Sequence, residues 1–510
     1  MVERYVPAES MLITAEGAQA GVEKLKREVL VNEKITFVHK LKEFYPDCSI
    51  YLVGGIVRDA VMGIKSSDYD VLIVGLTSEQ LRDFLNQNGK VVVETDTQTA
   101  VYKFLPQGQD EVIDVAMARE ESYDDESRKP TVKTDDVKVE DDLKRRDFTI
   151  NAMALDLFSD KESLVDPYGG VEDIQNKIIR AVGEPKERFL EDPLRMLRAV
   201  RFACRFGFEI DEKTMNAIVE LVSELSKKYE TEEGKIKKRV SGERVRKEFV
   251  GALTADPVRF LELYDQSHIL IQILPEVADL HGVEQPEQYH SEGDVFEHTK
   301  LVLKNLPQDA GLETMIAALL HDIGKKETFV SAQESGDRIR FNGHDELSAS
   351  KTREILERLR FNRDFIERVV WIVKSHMTIL NFQRMRTSKR KNMARHEAFS
   401  SLVALAEADA RSSLRPDGSV DVEFMKSVRQ TLVELEKEKK EDKPLRIIDG
   451  NQMLSIIADS DLEFDHNKDG RVMGMVLNRV NESYQNGDIE DFNQAKNLSL
   501  KLLSENLDKK

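Results

Sequence analysis

The spacing of apolar positions predicts a chain that first alternates strand with helix and then stays helical. Residues 1–31 have helical tendency without a motif, and 35–45 carry apolar positions at the spacing of an amphipathic helix. A short apolar run at 51–53 meets Gly54-Gly55, a helix follows from Ile56, and a second apolar run occupies 71–74. Another helix is predicted over 81–88, and two alternating runs, 99–105 and 111–117, supply the sheet's remaining strands. Residues 120–142 mix charges densely around one proline and few apolar anchors, which predicts a mobile loop. The stretch LKRRDFTINAMALD (143–156) reads as a helix start capped by Asp147, and DPYGG (166–170) as a turn. From 191 the pattern is helical to 274, until Pro, Gly and polar residues in GVEQPEQYHSEGDVFEHT (282–299) break it and mark a boundary. Helical runs resume beyond, and 495–507 close the chain as a polar helix.

Composition narrows the class. A length of 510 residues favours several domains, and a hydrophobic fraction of 40% suffices for packed cores. No apolar stretch reaches signal-peptide or membrane-spanning length, so no membrane partner is expected and the cytoplasm is the expected location. Cys48 and Cys204 are too few for a disulfide framework or a cysteine zinc site. A net charge of −19 argues against a nucleic-acid partner until its distribution is considered. RMRTSKRKNMARH (384–396) holds six Lys or Arg and no acid, and KIKKRVSGERVRK (235–247) is nearly as basic. Such islands in an acidic protein suit local phosphate contacts.

The chemistry concentrates first in YLVGGIVRDAVMGIKSSDYDVLIVG (51–75). Gly54 and Gly55 let the backbone turn sharply and approach a ligand, and the helix after them aims free N–H groups at the same spot with Arg58 alongside, a seat for phosphate. Asp68 and Asp70, two apart and leading into a strand, project from one strand face, where their oxygens can hold a divalent ion against a triphosphate. Asp114, flanked by Ile113 and Val115 in an apolar strand, is read as the third member of a carboxylate trio.

With GGxVRD and the following DxD in view, the chain resembles the polymerase-beta-like nucleotidyltransferases, in the branch containing bacterial CCA-adding enzymes and poly(A) polymerases. RRDFTINA (145–152) is similar to that family's second motif, which implies that Arg146 approaches the nucleotide and Asp147 its ribose. Ser127-Arg128-Lys129-Pro130 lacks the glycine that family members often carry near this point. In EDPLRMLRAVR (191–201), Asp192, Arg195, Arg198 and Arg201 follow at intervals of three and share one side of a helix. Cytosine and adenine each present an amino donor beside a ring-nitrogen acceptor, so an Asp acceptor next to an Arg donor accepts C and A and rejects U and G. The EDxxR of the CCA-adding family implies this base-reading role for Asp192 and Arg195, with no nucleic-acid template. SGERVRKEF (241–249) matches the family's body segment.

A second constellation follows the boundary. His298, His321, Asp322, His344, His376 and Asp409 are spaced by 22 to 33 residues, each consecutive His321-Asp322 pair counted once, and each lies on a predicted helix or its end. Imidazole with carboxylate suits Mn, Fe, Ni, Co or Zn better than Mg. The HD pair with its downstream GK resembles the HD-domain phosphohydrolases, and the series H, HD, H, H, D implies the version able to hold two metals and hydrolyse a phosphoester. DHNKDGR (465–471) imitates the start of an EF-hand loop, but the twelfth position is Val476 rather than Glu, and calcium is not expected.

The sequence thus predicts an α+β protein: a polymerase-beta-like nucleotidyltransferase head of mixed sheet and helices, an all-helical neck and body, and a helical HD domain. The divisions are 1–31, an N-terminal extension; 32–160, the head; 161–280, neck and body; 281–415, the HD domain; and 416–510, a helical tail. The expected reaction is addition of CMP, CMP and AMP to the tRNA 3′ end from CTP and ATP, with Mg²⁺ on Asp68 and Asp70, assisted by Asp114. Gly54, Gly55, Arg58, Arg146, Asp147, Asp192, Arg195, Arg198 and Arg201 are the expected nucleotide contacts, and the HD residues hold a divalent transition metal. The rivals are a poly(A) polymerase, an HD phosphohydrolase whose head only senses nucleotide, and a non-enzymatic RNA-binding module. Oligomeric state is left open.

Overall fold

The structure, a computed structural model, describes residues 14–94, 101–122, 131–134, 136–159, 163–230, 236–286, 293–414, 416–419, 426, 429–430, 433, 446–460, 462 and 464–507. The chain divides into two compact units, Met1–Ala278 and Asp279–Lys510.

The first unit is built on a seven-stranded mixed sheet. Its strands are β1 (Ser49–Val53), β2 (Asp70–Val74), β3 (Gly89–Glu94), β4 (Val101–Pro106), β5 (Ile113–Met117), β8 (Ala154–Asp156) and β9 (Leu164–Val165), in the order β3-β4-β5-β2-β1-β8-β9. β1 is apolar on both faces because it runs mid-sheet between β2 and β8, with Ile50, Leu52 and Val53 all buried. β2 runs antiparallel to β1 and parallel to β5, and this register sets Asp70 directly beside Asp114.

Several expectations need correction. The helix after the glycine turn spans Gly55–Val61, starting one residue early. β3 was not anticipated, since its apolar run follows the helix Ser78–Asn88 without a break. RRDFTINAMALD does not open a helix: Phe148 is extended, Thr149–Asn151 forms one 3₁₀ turn, and Ala154–Asp156 joins the sheet as β8. Part of the expected loop at 120–142 is ordered, because β6 (Glu120–Ser122) pairs with β7 (Thr131–Lys133) and a helix covers Val139–Lys144. The Ser127–Pro130 stretch lies outside the described residues. Residues 15–30 are more than an appendage, for the helix Ala15–Leu30 packs on the glycine-turn helix with Gly21 against the Ala60 carbonyl.

The neck and body are helical but not all-helical. Ile178–Ile179 (β10) pairs with Glu209–Ile210 (β11), and Lys228–Glu230 (β12) with Ile236–Lys238 (β13). The neck helix Leu194–Phe206 packs on Gly242–Ala255, and Gly251 permits that approach: a Cβ there would lie 2.6 Å from the Arg201 Cδ.

The described part of the second unit is largely helical. Val295–Asn305, Leu312–Leu320, His344–Arg358, Arg363–Ser375 and Phe399–Ser412 pack together. A separate apolar cluster, including Ile448, Met453, Ile456, Val480 and Leu503, holds Gly450–Ala458, His466–Asn486 and Phe492–Leu507. The EF-hand imitation is a helix start, in which the Asp469 carboxylate accepts from the Asp465 backbone N–H at 3.0 Å and is buried rather than turned toward a loop centre.

Candidate active sites

In the first unit, β2 and β5 carry carboxylates at the same level of the sheet. Asp70 opens β2 and Asp114 is its registered neighbour, whereas Asp68 lies in the loop two residues before the strand, not on a strand face as expected. Burial and then the Asp68 charge push the Asp70 carboxyl up to about 6, with Arg146 pulling the other way and Asp114 adding to the repulsion. A carboxyl raised by burial and by neighbouring carboxylates is a donor that a divalent cation relieves. Lys103, opposite Asp114 on β4, contacts its carboxylate oxygens at 2.7 and 3.1 Å. Sequence reasoning missed this lysine, although its place in an alternating strand was a usable signal.

Gly54 follows β1 at φ 73°, in positive-φ space that favours glycine. A Cβ there would lie 2.9 Å from Arg146 Nη1 and 3.6 Å from Asp70 Oδ2, so the turn is the floor on which an arginine and a carboxylate meet. Arg146 Nη2 donates to Asp142 at 3.1 Å, while its buried Nε has no hydrogen-bond partner. Gly55 begins the following helix.

Arg58 departs from the expectation that it reaches a phosphate. Its Nε and Nη2 donate to Asp59 Oδ1 at 2.8 and 2.6 Å, and Nη1 donates to Asn151 at 2.7 Å. The guanidinium, only 4% exposed, lies 4.8 Å from the centre of the Phe206 ring. It braces the glycine-turn helix against the 3₁₀ turn and the neck instead of facing ligand. Asp147 is also committed: its oxygens accept from Phe148 N (2.9 Å), Asn151 Nδ2 (3.1 Å) and Arg198 Nε (2.7 Å). Burial opposes its ionisation, but Arg198 and Asn151 outweigh burial and hold the carboxyl below its ordinary range.

The neck residues are not presented as one face. The helix begins at Leu194 after Pro193, leaving Asp192 outside it. Asp192 Oδ1 accepts from Leu194 N at 3.2 Å and Oδ2 from Arg244 at 2.7 Å. Arg195 donates to Glu191 (2.6 Å) and to the carbonyls of Arg188 (3.1 Å) and Arg145 (2.9 Å). Arg198 pairs with Asp147, and Arg201 with buried Glu248. Asp192 and Arg195 therefore stand near one another in the chain with separate partners, and Arg201 is a packing contact between helices. Arg244, inside the body segment, was missed as a partner of Asp192.

The second unit gathers its six residues. His298 lies in Val295–Asn305 and Asp409 in Phe399–Ser412; His321 and His376 cap the ends of Leu312–Leu320 and Arg363–Ser375; His344 opens His344–Arg358. Ligand atoms of His298, His321 and Asp409 lie within 4.8 Å of one another, and so do those of Asp322, His344 and His376. Asp322 sits between the groups, with Oδ2 at 3.1 Å from His321 Nε2 and Oδ1 at 3.4 Å from His344 Nε2. His321, His344 and His376 each turn Nδ1 to the carbonyl three residues earlier, Ala318 (2.9 Å), Phe341 (2.8 Å) and Val373 (2.6 Å). A carbonyl only accepts, so Nδ1 holds the proton and, in the neutral rings, Nε2 presents a lone pair inward. His344 and His376 Nε2 atoms face each other at 3.2 Å, and buried His321 Nε2 satisfies no hydrogen bond. This convergence fits metal cations.

Burial and Asp322 pull the histidines of this site in opposite directions. Burial and the neighbouring histidines lower His376 to about 4, so it is neutral at ordinary pH. Burial opposes protonation of His344, but Asp322 outweighs it and raises the ring above its ordinary value. Asp322 is held well below the carboxylate range by His321 and Lys325, against burial. Lys325 Nζ lies 2.8 Å from both Asp322 Oδ2 and Gln285 Oε1. Gln285 was missed, for nothing in its local sequence marks it.

Residues 50–180 match the poly A polymerase head domain, and residues 295–411 match the HD domain. The multifunctional CCA protein of Laribacter hongkongensis is 34% identical over 374 residues, covering 71% of this chain and 84% of that protein. The chain belongs to the multifunctional CCA protein family. Another member, from Vibrio vulnificus, is 35% identical over 339 residues, covering 65% of this chain and 75% of its own. The fold is that of the CCA-adding enzymes: the Bacillus stearothermophilus enzyme, solved in complex with CTP, aligns at 21% identity with a TM-score of 0.62 over 93% of this chain and 97% of its own. The Thermotoga maritima enzyme, complexed with tRNA, aligns at 22% identity and a TM-score of 0.58 over 94% of this chain and 98% of its own. This chain thus joins a poly A polymerase head domain to an HD domain, domains that generally use divalent metals. Among the described residues, no helix is long and apolar enough to cross a membrane.

Proposed function

We propose that this chain adds CMP, CMP and AMP in turn to the 3′ end of tRNA, using CTP and ATP without a nucleic-acid template, and that its second unit is a metal-dependent phosphohydrolase. The observation that carries the first activity is the pairing of Asp70 with Asp114 beside an arginine seated over Gly54. Asp68 and Asp70 would hold Mg²⁺, with Asp114 assisting; the ion supplies a lowered pKa for the RNA 3′-hydroxyl and charge for the triphosphate. Arg146, with an unused buried N–H, binds the triphosphate across the glycine turn, and pyrophosphate leaves after in-line attack on the α-phosphate. Asp147 fixes Arg198 at the ribose side. The basic stretches 235–247 and 384–396 contact tRNA phosphates. His298, His321, Asp322, His344, His376 and Asp409 would hold divalent transition metal that supplies activated water for phosphoester hydrolysis. We assign the helix 15–30 and β9 (164–165) to the head together with 32–160, followed by a neck and body to 280, an HD domain over 281–415 and a tail over 416–510, with the cytoplasm as the site of action.

The deciding experiment incubates the protein with tRNA lacking its 3′ end and each NTP, followed by product sequencing. Ordered CMP, CMP, AMP addition is expected; long A tails without CMP would assign the chain to the poly(A) polymerases instead.

Asp192 and Arg195 read the incoming base after exchanging their present partners, Arg244 and Glu191. A matched bidentate contact contributes about 1–3 kcal/mol of discrimination, so Asp192→Ala is expected to lose roughly ten-fold or more in preference for CTP over UTP. Misincorporation with all four NTPs is the measurement. A uniform drop in rate with unchanged fidelity would make these residues ion-pair elements of the neck.

Mg²⁺ binding at the head should depend on pH. The Asp70 carboxyl, raised to about 6, takes up a proton as pH falls through that value, and the ion must then displace it. Apparent affinity should be flat above pH 7 and weaken by about ten-fold per unit below 6. Calorimetric Mg²⁺ titration across pH checks this, and a flat profile would remove Asp70 from the ligand set.

A further inference from the structure

We infer that Asp142 is the positioning residue that holds Arg146 over the glycine turn for nucleotide binding, an inference that rests on the reading of Arg146 as a triphosphate contact. Asp142 is fully buried, in the helix Val139–Lys144 just before the two arginines. Its Oδ1 accepts from Arg145 Nε at 3.0 Å and Nη2 at 2.5 Å, and its Oδ2 accepts from Arg146 Nη2 at 3.1 Å. One carboxylate therefore pins both side chains of consecutive arginines, which otherwise tend to point apart.

The consequence for Arg146 is geometric. With Nη2 held by Asp142, Nη1 is brought to the surface of Gly54, 2.9 Å from where a Cβ would stand, and within reach of the Asp70 side of the turn. Nε stays buried without a partner. A flexible arginine alone would meet a triphosphate from many directions; one held at a single nitrogen presents the others in a fixed plane. The same segment also touches the neck, because the Arg145 carbonyl accepts from Arg195 Nη2 at 2.9 Å. Against burial, Arg146 and Arg145 keep the Asp142 carboxyl below its ordinary range, so it remains the charged anchor at working pH. An ordinary role for Asp142 would be to neutralise two nearby arginines, and this role predicts general loss of folding rather than a loss confined to nucleotide affinity.

The test is a double-mutant cycle on the full-length protein, read as CTP affinity in the presence of Mg²⁺ and, separately, as tRNA affinity. Asp142→Asn, Arg146→Ala and the double variant are compared, with Asp142→Glu added because it keeps the charge, and hence the fold, while moving the anchor by one methylene. Arg146→Ala is expected to weaken CTP binding by at least about ten-fold, Asp142→Asn by a similar factor, and the double variant no further than Arg146→Ala alone, since Asp142 acts through Arg146. Asp142→Glu should weaken CTP binding several-fold with tRNA affinity unchanged. Additive losses in the double variant, an Asp142→Glu protein with wild-type CTP affinity, or parallel losses of CTP and tRNA affinity would each overturn the inference. If Arg146→Ala itself leaves CTP affinity unchanged, the inference falls with the reading of Arg146; if wild-type protein incorporates no CMP or AMP, it is the proposed activity that fails.

Discussion

Asp70→Ala is expected to abolish incorporation of both CMP and AMP, with a loss on the order of 10³-fold or more, because several kcal/mol of transition-state charge stabilisation goes with a metal ligand and each 1.36 kcal/mol is ten-fold in rate. Asp68→Ala should behave alike, while tRNA affinity, which depends on phosphate contacts elsewhere, should stay within about two-fold. The fold should survive the change. The Asp70 carboxyl is raised to about 6 by burial and by Asp68, so its ionised form is disfavoured in the folded protein without metal. A raised carboxyl leaves stability untouched at low pH, where both states are protonated, and subtracts from it as pH rises through the unfolded value toward 6. Metal-free Asp70→Ala protein is therefore expected to melt higher than wild type at pH 7 and equally at low pH. Single-turnover incorporation with labelled NTPs, tRNA binding and thermal melts in chelator separate the outcomes. Near-normal turnover in either variant would show that the ion is held elsewhere.

What could be read from the sequence was chemistry held within one local element. The glycine turn and the aspartates after it lie within 25 residues, and alternation placed Asp114 on a strand, so the trio was legible before the parallel β2–β5 register was seen. Each HD histidine sat on a helix or its end, and their spacing by whole helices was visible. The bracing role of Arg58 left no mark in the pattern: Asp59 is adjacent and silent there, while Asn151 and Phe206 come from distant segments. Intervals of three suggested one face for Asp192 through Arg201, but the helix begins only at Leu194, after Pro193, and Arg244, 52 residues on, captures the Asp192 carboxylate. Short strands such as β8 and β10 were invisible because two or three residues show no period, and only the neighbouring strand makes them strands. The Nδ1–carbonyl bonds that orient the histidines were likewise beyond reach, since they depend on how each helix ends.

His321→Ala is expected to eliminate metal-dependent phosphoester hydrolysis, by roughly three orders of magnitude, without slowing NTP addition. The separation has a structural basis, for all six HD residues belong to Asp279–Lys510 and the carboxylate trio belongs to Met1–Ala278. The variant should also fold. His321 is a buried ring whose Nε2 satisfies no hydrogen bond, so its removal deletes no hydrogen bond at that atom. Asp322 would lose its contact with the His321 ring but keep Lys325 at 2.8 Å and His344 at 3.4 Å, so the buried carboxylate is not stranded. The one bond lost is that from His321 Nδ1 to the Ala318 carbonyl, a contact three residues apart at a helix end that joins no two helices. Hydrolysis of a 2′,3′-cyclic nucleotide and of bis(p-nitrophenyl) phosphate, each with Mn²⁺, Co²⁺ and Ni²⁺ in turn, gives the first readout, and CMP incorporation on the same preparation gives the second. Metal content by mass spectrometry gives a third that does not depend on substrate, with less bound transition metal expected in the variant. Loss of both activities together would mean that one site serves both reactions, and hydrolysis persisting at the wild-type rate would remove His321 from the metal cage.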